Sequence, residues 1–388
     1  MIDIPAPPNK NHTPLSTGEG SGVRLESQQA KLARLLASQQ QIKENKGKPI
    51  SFSQPILWQK ENPVFFPKTI NVIQGKAGVH KSRLAETICA ALLKTPESNR
   101  DLLGFKRSLL SRYAVCYVDT ERNLSDQLPY SLQQIQLKAG FTIQDHPYGF
   151  DYISLLEFAR EERFEMLNMY IDHIRKKFPM HLFIVLDVIT DCVFNFNDTK
   201  DSMKLIDMMN QTINRYDVTF LALIHENPGS TDKARGHLGT EILNKASTVV
   251  QIGFEKDAEN HNTNLIKVAY LKCRSSKKHE PFFVQYSDTE KGLVIADLTT
   301  IQETMDSRNH KASLDSTLEF IGAFLTEPMP RKDFIEKLCA EMNCKERTVE
   351  ARLKSIITHS FAIPVGDGKA KTLCKKTENR EIIYYLTD

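Results

Sequence analysis

The chain has 388 residues, 40% of them hydrophobic and 26% charged. That length suits two domains or one large domain with appendages, and the composition excludes a wholly disordered chain. The net charge of +3 sits in the first 50 residues, with 7 basic side chains against 4 acidic, and the rest is balanced; any nucleic-acid surface must therefore be local. The 7 cysteines are scattered without a CxxC pair, as expected of reduced thiols and not of a zinc site. No run approaches the roughly 20 apolar residues of a membrane helix. The polar N-terminus lacks a secretory apolar core, so a cytoplasmic protein without a membrane partner is expected.

Residues 1–50 are predicted to be a disordered tail carrying one helix. Residues 1–23 are rich in Pro, Asn, Gly, Ser and Thr. Residues 27–45 favour helix, with Leu32, Leu35 and Leu36 as a narrow apolar stripe and Gly47 and Pro49 closing it. Such a stripe is expected to dock on the chain's own core or on a neighbouring subunit.

Residues 51–300 alternate strand-like and helical segments. Strands are predicted at 69–74, 114–119, 182–187, 218–224, 248–253, 265–272, 282–286 and 293–296. Helices are predicted at 82–94, 124–139, 153–177 and 201–216. Continuous Val/Ile/Leu runs suit strands buried on both faces of a parallel sheet, so the class is α/β with a mainly parallel sheet. The closing strands have short connections and should be antiparallel. Residues 301–312 read as a polar linker. Within 313–388, three helical segments (314–325, 331–342 and 345–360) precede a basic stretch and a last strand at 382–386, the layout of a small C-terminal winged-helix domain.

The strongest chemical signal is the turn Gly75-Lys76-Ala77-Gly78-Val79-His80-Lys81-Ser82, which leads from a strand into a helix that continues with Arg83. It resembles the Walker A P-loop, GxxxxGK[ST], with His80 in place of the second glycine. Backbone N–H groups at a helix N-terminus cradle phosphates, a lysine such as Lys81 contacts the β and γ phosphates, and a hydroxyl such as Ser82 ligates Mg²⁺. The sixth position favours positive φ, which His tolerates less well than Gly. The apolar run 183–186 ends in Asp187, a second Mg²⁺ ligand by the Walker B pattern.

The intervening strand ends in Asp119-Thr120-Glu121, and the strand after Asp187 ends in His225. A polar, basic stretch follows with Lys233, Arg235 and His237. A later strand ends in Lys272-Cys273-Arg274, whose alternation puts both cations on one face. This order of parts, over residues 55–298, resembles the RecA-like P-loop ATPases, with the plasmid replicative hexameric helicases of the RepA type as the nearest group. The resemblance implies ATP and Mg²⁺ as cofactors. It implies Glu121 as the residue that activates water (Asp119 being the fallback) and His225 as γ-phosphate sensor. Lys272 and Arg274 would be cations reaching a neighbouring subunit's nucleotide, with Lys245 a further trans candidate. Lys233, Arg235 and His237 would contact single-stranded DNA. A homo-oligomer, hexameric in that group, follows from the trans cations.

In the C-terminal domain, Arg347 and Arg352 are duplex-DNA candidates for a major groove, and Lys369, Lys371, Lys375 and Lys376 are phosphate candidates on the wing. The expected function is a Mg²⁺-dependent ATPase acting on DNA, a helicase-type motor in replication or mobilisation of a plasmid or mobile element. The competing expectation is a nucleotide-switched DNA-binding regulator or mobilisation accessory protein without unwinding activity, with His80 slowing turnover.

Overall fold

The computed structural model describes residues 28–108, 112–229, 233–257, 261–309, 313–366, 369–378 and 381–387. The chain divides into two compact units, Met1–Phe52 and Ser53–Asp388. In the first, the predicted helix is present as α1 (Gln28–Lys46), and none of its residues is buried. Its stripe is open, with Leu32, Leu35 and Leu36 all exposed. The expectation of disorder over 1–23 lies outside the described residues.

The second unit begins with β1 (Leu57–Gln59), β2 (Asn62–Phe65), β3 (Ile70–Gly75), α2 (Lys81–Leu93) and β4 (Phe105–Arg107). Next come β5 (Tyr113–Asp119), α3 (Gln127–Ala139), β6 (Phe150–Ser154), α4 (Arg160–Lys177) and β7 (His181–Asp187). Then follow α5 (Thr199–Tyr216), β8 (Val218–His225), α6 (Gly236–Lys245), β9 (Thr248–Lys256) and β10 (Asn262–Cys273). After β11 (Phe282–Ser287) and β12 (Gly292–Ile295) the chain enters α7 (Leu298–Asn309) and α8 (Leu314–Phe324). It closes with β13 (Met329–Pro330), α9 (Arg331–Glu341), α10 (Glu346–Thr358), β14 (Ala362–Pro364), β15 (Ala370–Glu378) and β16 (Glu381–Thr387).

The central sheet has nine strands in the order β12-β11-β10-β9-β3-β8-β7-β5-β6. From β9 to β6 the neighbours are parallel, and from β9 to β12 they are antiparallel, as predicted for that end. Strand alternation sends side chains to two cores. Ile73, Val115, Tyr117, Phe183, Val185 and Leu223 pack beneath α2 and α3. Val72, Cys116, Ile184, Leu186, Phe220 and Ala222 pack against α4, α5 and α6. Helices on both faces explain why these strands read as unbroken apolar runs. Strand β3, which leads into the turn Gly75–Ser82, lies between β8 and β9, and β8 separates it from β7, which carries Asp187.

Four sequence expectations need correction. The helix predicted over 153–177 starts only at Arg160, because Phe150–Ser154 pairs with β5 as an edge strand. The helix predicted from 124 starts at Gln127, because the Asn123 carboxamide accepts from the Asp126 and Gln127 N–H groups and holds a turn there. The polar stretch 301–312, expected as a linker without assigned structure, carries helix. It is helical as far as Asn309, and the Asp297 carboxylate accepts the Thr300 N–H at the start of that helix. Finally, the basic Gly-rich stretch after β8 becomes α6 from Gly236 onward. The small sheet β2-β1-β4 was not anticipated.

The C-terminal helices α8, α9 and α10 close around their own apolar cluster, which includes Ile321, Phe334, Leu338, Leu353 and Ile356, beside the sheet β13-β16-β15-β14. Gly322 is required there, since a Cβ would lie 1.8 Å from the Pro364 carbonyl oxygen. None of the seven cysteines forms a disulfide. Among the described residues, no helix is long and apolar enough to cross a membrane.

Candidate active site

The ends of β3, β5, β7 and β8 and the start of α2 converge on one cleft of about 280 Å³. It is lined by Gly78, Val79, His80, Lys81, Ser82, Arg83, Glu121, Asp187 and His225, all singled out from the sequence, and also by Glu86, Arg122, Ser131 and Val188. Of the other P-loop residues, Gly75 ends β3, while Lys76 and Ala77 line the neighbouring hollow of about 390 Å³.

Gly75 admits no side chain, because a Cβ would sit 2.3 Å from the Ile252 carbonyl oxygen. The N–H groups of Ala77, Gly78 and His80 have no acceptor among the described residues. Unpaired donors at a helix N-terminus fit a phosphate. Lys81 lies across the loop, donating to the carbonyls of Gly75 (3.0 Å) and Lys76 (2.8 Å). Its Nζ is also 3.1 Å from His225 Nδ1. An ammonium can only donate, so Nδ1 is the acceptor and Nε2 carries the proton. Nε2 faces Glu121 Oε1 at 3.5 Å. The hydrogen bond from His225 and the charges of Lys81 and Arg122 hold the Glu121 carboxyl below its usual pKa. Burial lowers Lys81, against the opposing pull of Asp187, Glu121 and Glu226.

His80 has φ 65° and ψ 28°, the left-handed conformation expected at that position. Its ring stacks on Tyr286 (centroids 5.2 Å apart) and meets Phe254 edge-on (5.9 Å). These contacts explain how a non-glycine persists there: ring pairs worth about 0.5–1.5 kcal/mol each offset a backbone cost of about 1–2 kcal/mol. Replacement by Gly or Ala removes the rings equally, but only Gly relieves the backbone. His80→Gly is therefore expected to be more stable than His80→Ala by about 1 kcal/mol in denaturant unfolding. Equal stabilities would show that the backbone is unstrained.

Asp119 faces inward. Its Oδ1 accepts the N–H groups of Glu121 (3.1 Å) and Arg122 (2.8 Å), and its Oδ2 pairs with Arg122 Nη1 (3.1 Å). It thus shapes the turn that presents Glu121. Thr120 Oγ1 accepts the Val188 N–H at 2.9 Å and fastens this turn to the end of β7. Burial raises Asp119 to about 6, although the bonds from Arg122 oppose the rise. A carboxyl raised on folding favours the protonated native state, so its contribution weakens the fold as pH rises from about 4 to 6. Asp119→Asn lacks that titration. Its melting temperature relative to the parent should therefore climb across this window, and a flat difference would refute the assignment.

Asp187 has its Oδ2 engaged by the Tyr117 hydroxyl (2.6 Å) and by Arg122 Nη2 (2.8 Å). The Ser82 hydroxyl has no partner among the described residues. One hydroxyl and one carboxylate suit a Mg²⁺ ion that keeps its waters and phosphate ligands. Sequence reasoning missed Arg122, Tyr117 and Glu86. The last left one signal, a carboxylate on the buried stripe of an apolar helix.

The remaining candidates lie elsewhere. Lys272 Nζ donates to the carbonyls of Leu243 (2.6 Å) and Asn244 (3.0 Å), and Arg274 Nη2 also reaches Asn244 O (2.5 Å). Both cations therefore cap the C-terminus of α6 in their own subunit, where the helix dipole is negative. Lys245, the last residue of α6, is exposed. Lys233 is exposed, the Arg235 guanidinium lies over Phe196 (5.3 Å), and His237 is half-buried in the first turn of α6. Arg347 and Arg352 are exposed on α10, off its buried stripe of Val349, Leu353 and Ile356. Lys376 pairs with Glu378.

No protein-family profile and no curated relative matches the sequence. Solved structures do match. A RadB recombinase structure is 13% identical, covering 60% of this chain and 92% of its own, with a TM-score of 0.40. A KaiC-like protein from the hyperthermophilic archaeon Pyrococcus horikoshii OT3 is 13% identical, covering 64% of this chain and 99% of its own, with a TM-score of 0.44.

Proposed function

We propose that this chain is a Mg²⁺-dependent ATPase of the RecA-like class that acts on DNA, as a helicase-type motor of a plasmid or other mobile element. The reading rests chiefly on one observation: the contact chain Lys81–His225–Glu121 inside a P-loop cleft. It joins the start of α2 to the ends of β8 and β5, which sequence order alone could not bring together. In this reading the Ala77–His80 amides and Lys81 hold the phosphates, and Ser82 and Asp187 hold Mg²⁺, which neutralises phosphate charge. Glu121 accepts the proton of the attacking water. His225 touches both Lys81 and Glu121 and so registers the γ-phosphate. Lys233, Arg235 and His237 lie just beyond it and face single-stranded DNA. The three-helix C-terminal region acts as a winged helix on duplex DNA through Arg347 and Arg352. The active form is a homo-oligomer, hexameric if it follows the RepA-type helicases, and works in the cytoplasm.

Hydrolysis measured with and without single-stranded DNA tests this. DNA-stimulated turnover supports the motor, and a forked-duplex assay then tests unwinding. One observation favours the second reading, a nucleotide-switched regulator or mobilisation accessory protein. Lys272 and Arg274 are held by α6 in their own subunit and are not extended toward another. Nucleotide binding without turnover, in a protein that still binds duplex DNA, would select it.

A further inference from the structure

Arg122 is the least exposed cation of the cleft apart from Lys81, and this one charge faces three carboxylates. Its Nη1 is fixed to Asp119 Oδ2 at 3.1 Å. Its Nη2 lies 2.8 Å from Asp187 Oδ2 and 3.6 Å from Glu86 Oε1. The side chains of Asp119, Asp187 and Glu86 are 1%, 4% and 1% exposed, against 16% for Arg122. Glu86 Oε2 is taken by Arg83 at 2.9 Å, whereas Glu86 Oε1 is buried without a hydrogen bond. A purely structural buried ion network would be expected to satisfy that acceptor, since native proteins leave few buried polar atoms unpaired. Instead the guanidinium has one fixed arm and one arm between two acceptors, the nearer of which is the carboxylate that the metal needs.

We propose that Arg122 is the resident counter-cation of Asp187, holding that carboxylate while no metal–nucleotide complex is present and passing to Glu86 when one arrives. The inference rests on the nucleotide reading of the cleft. Its consequence is selectivity. A free divalent ion must displace an internal cation with only Asp187 and Ser82 in return. A metal bound to nucleotide brings phosphate ligands and the loop amides with it. The cleft therefore rejects bare metal and accepts the complex, and Arg122 acts as a positioning residue on Asp187.

The test uses the full chain and Mn²⁺ alone, with free Mn²⁺ followed by its paramagnetic resonance signal. The parent is expected to bind bare Mn²⁺ weakly. Arg122→Gln removes the competing charge and should tighten that binding by at least about tenfold, the scale of one close charge pair in a partly screened site. Arg122→Lys keeps a cation and should not show the gain. Asp187→Asn added to Arg122→Gln should cancel it. Unchanged Mn²⁺ affinity in a folded Arg122→Gln protein overturns the proposal, as does tight Mn²⁺ binding by the parent.

Should Arg122→Gln not fold, Glu86→Gln decides. Without the second carboxylate's charge to receive Arg122, ATP with Mn²⁺ should bind at least about tenfold more weakly, with ATP in EDTA unaffected. Equal effects on both overturn the proposal. A parent that binds ATP under neither condition sinks the nucleotide reading instead, and the parent's own affinity for bare Mn²⁺ still judges Arg122, since tight binding overturns its role.

Discussion

Glu121→Gln is expected to lower ATP turnover by on the order of 10²–10⁴-fold while leaving ATP affinity little changed. The amide keeps the shape of the side chain and its contact with His225 Nε2, but it cannot accept a proton. The backbone of the turn is held independently, because the Glu121 N–H donates to Asp119 and not to its own side chain. Phosphate release measured beside equilibrium ATP binding checks both halves. Retained turnover would mean that another group activates water. Asp119 is a poor substitute, since both of its oxygens already accept bonds from the turn and from Arg122.

Lys81→Ala is expected to lose ATP binding itself, by on the order of 10²–10³-fold, since it deletes the cation beneath the phosphates. The loss has a second source. Lys81 ties the carbonyls of Gly75 and Lys76 to His225, so truncation also loosens the loop and frees the His225 ring. The two variants should therefore separate cleanly, one binding without turnover and the other not binding. An Lys81→Ala protein with unaltered affinity would place the nucleotide outside this cleft.

Much of this arrangement was legible because it is written in strong periodic signals. Runs such as 183–186 and 220–224 are apolar at every position, which marks strands covered on both faces, and each ends in the polar residue that faces the cleft. The left-handed conformation at His80 was also legible, because the loop geometry demands it of whatever residue stands there. The aromatic pair that holds it was not, since Phe254 and Tyr286 lie on strands 174 and 206 residues further along the chain. Arg122 was hidden for a different reason. A charged residue after a strand end reads as solvated, and only the pairing of β5 with β7 reveals that it faces Asp187. Helix α6 was missed because Gly236, His237 and Gly239 weaken its propensity. The capping contacts from Lys272 and Arg274 come from a distant strand.

The segment after His225 has a pinned base. The Arg235 N–H donates to the His225 carbonyl at 2.8 Å, the Asn227 N–H donates to the Lys233 carbonyl at 2.9 Å, and Glu226 bridges Ala234. The closure is thus made by backbone at both ends, whatever side chains stand between. Lengthening a chain segment whose ends are already joined costs only about 0.6 kcal/mol per doubling. The clasp between Asn227 and Lys233 therefore insulates the His225 end of β8 from changes in chain length beyond it, so that the polar head of that strand and whatever the chain carries past the clasp can vary independently.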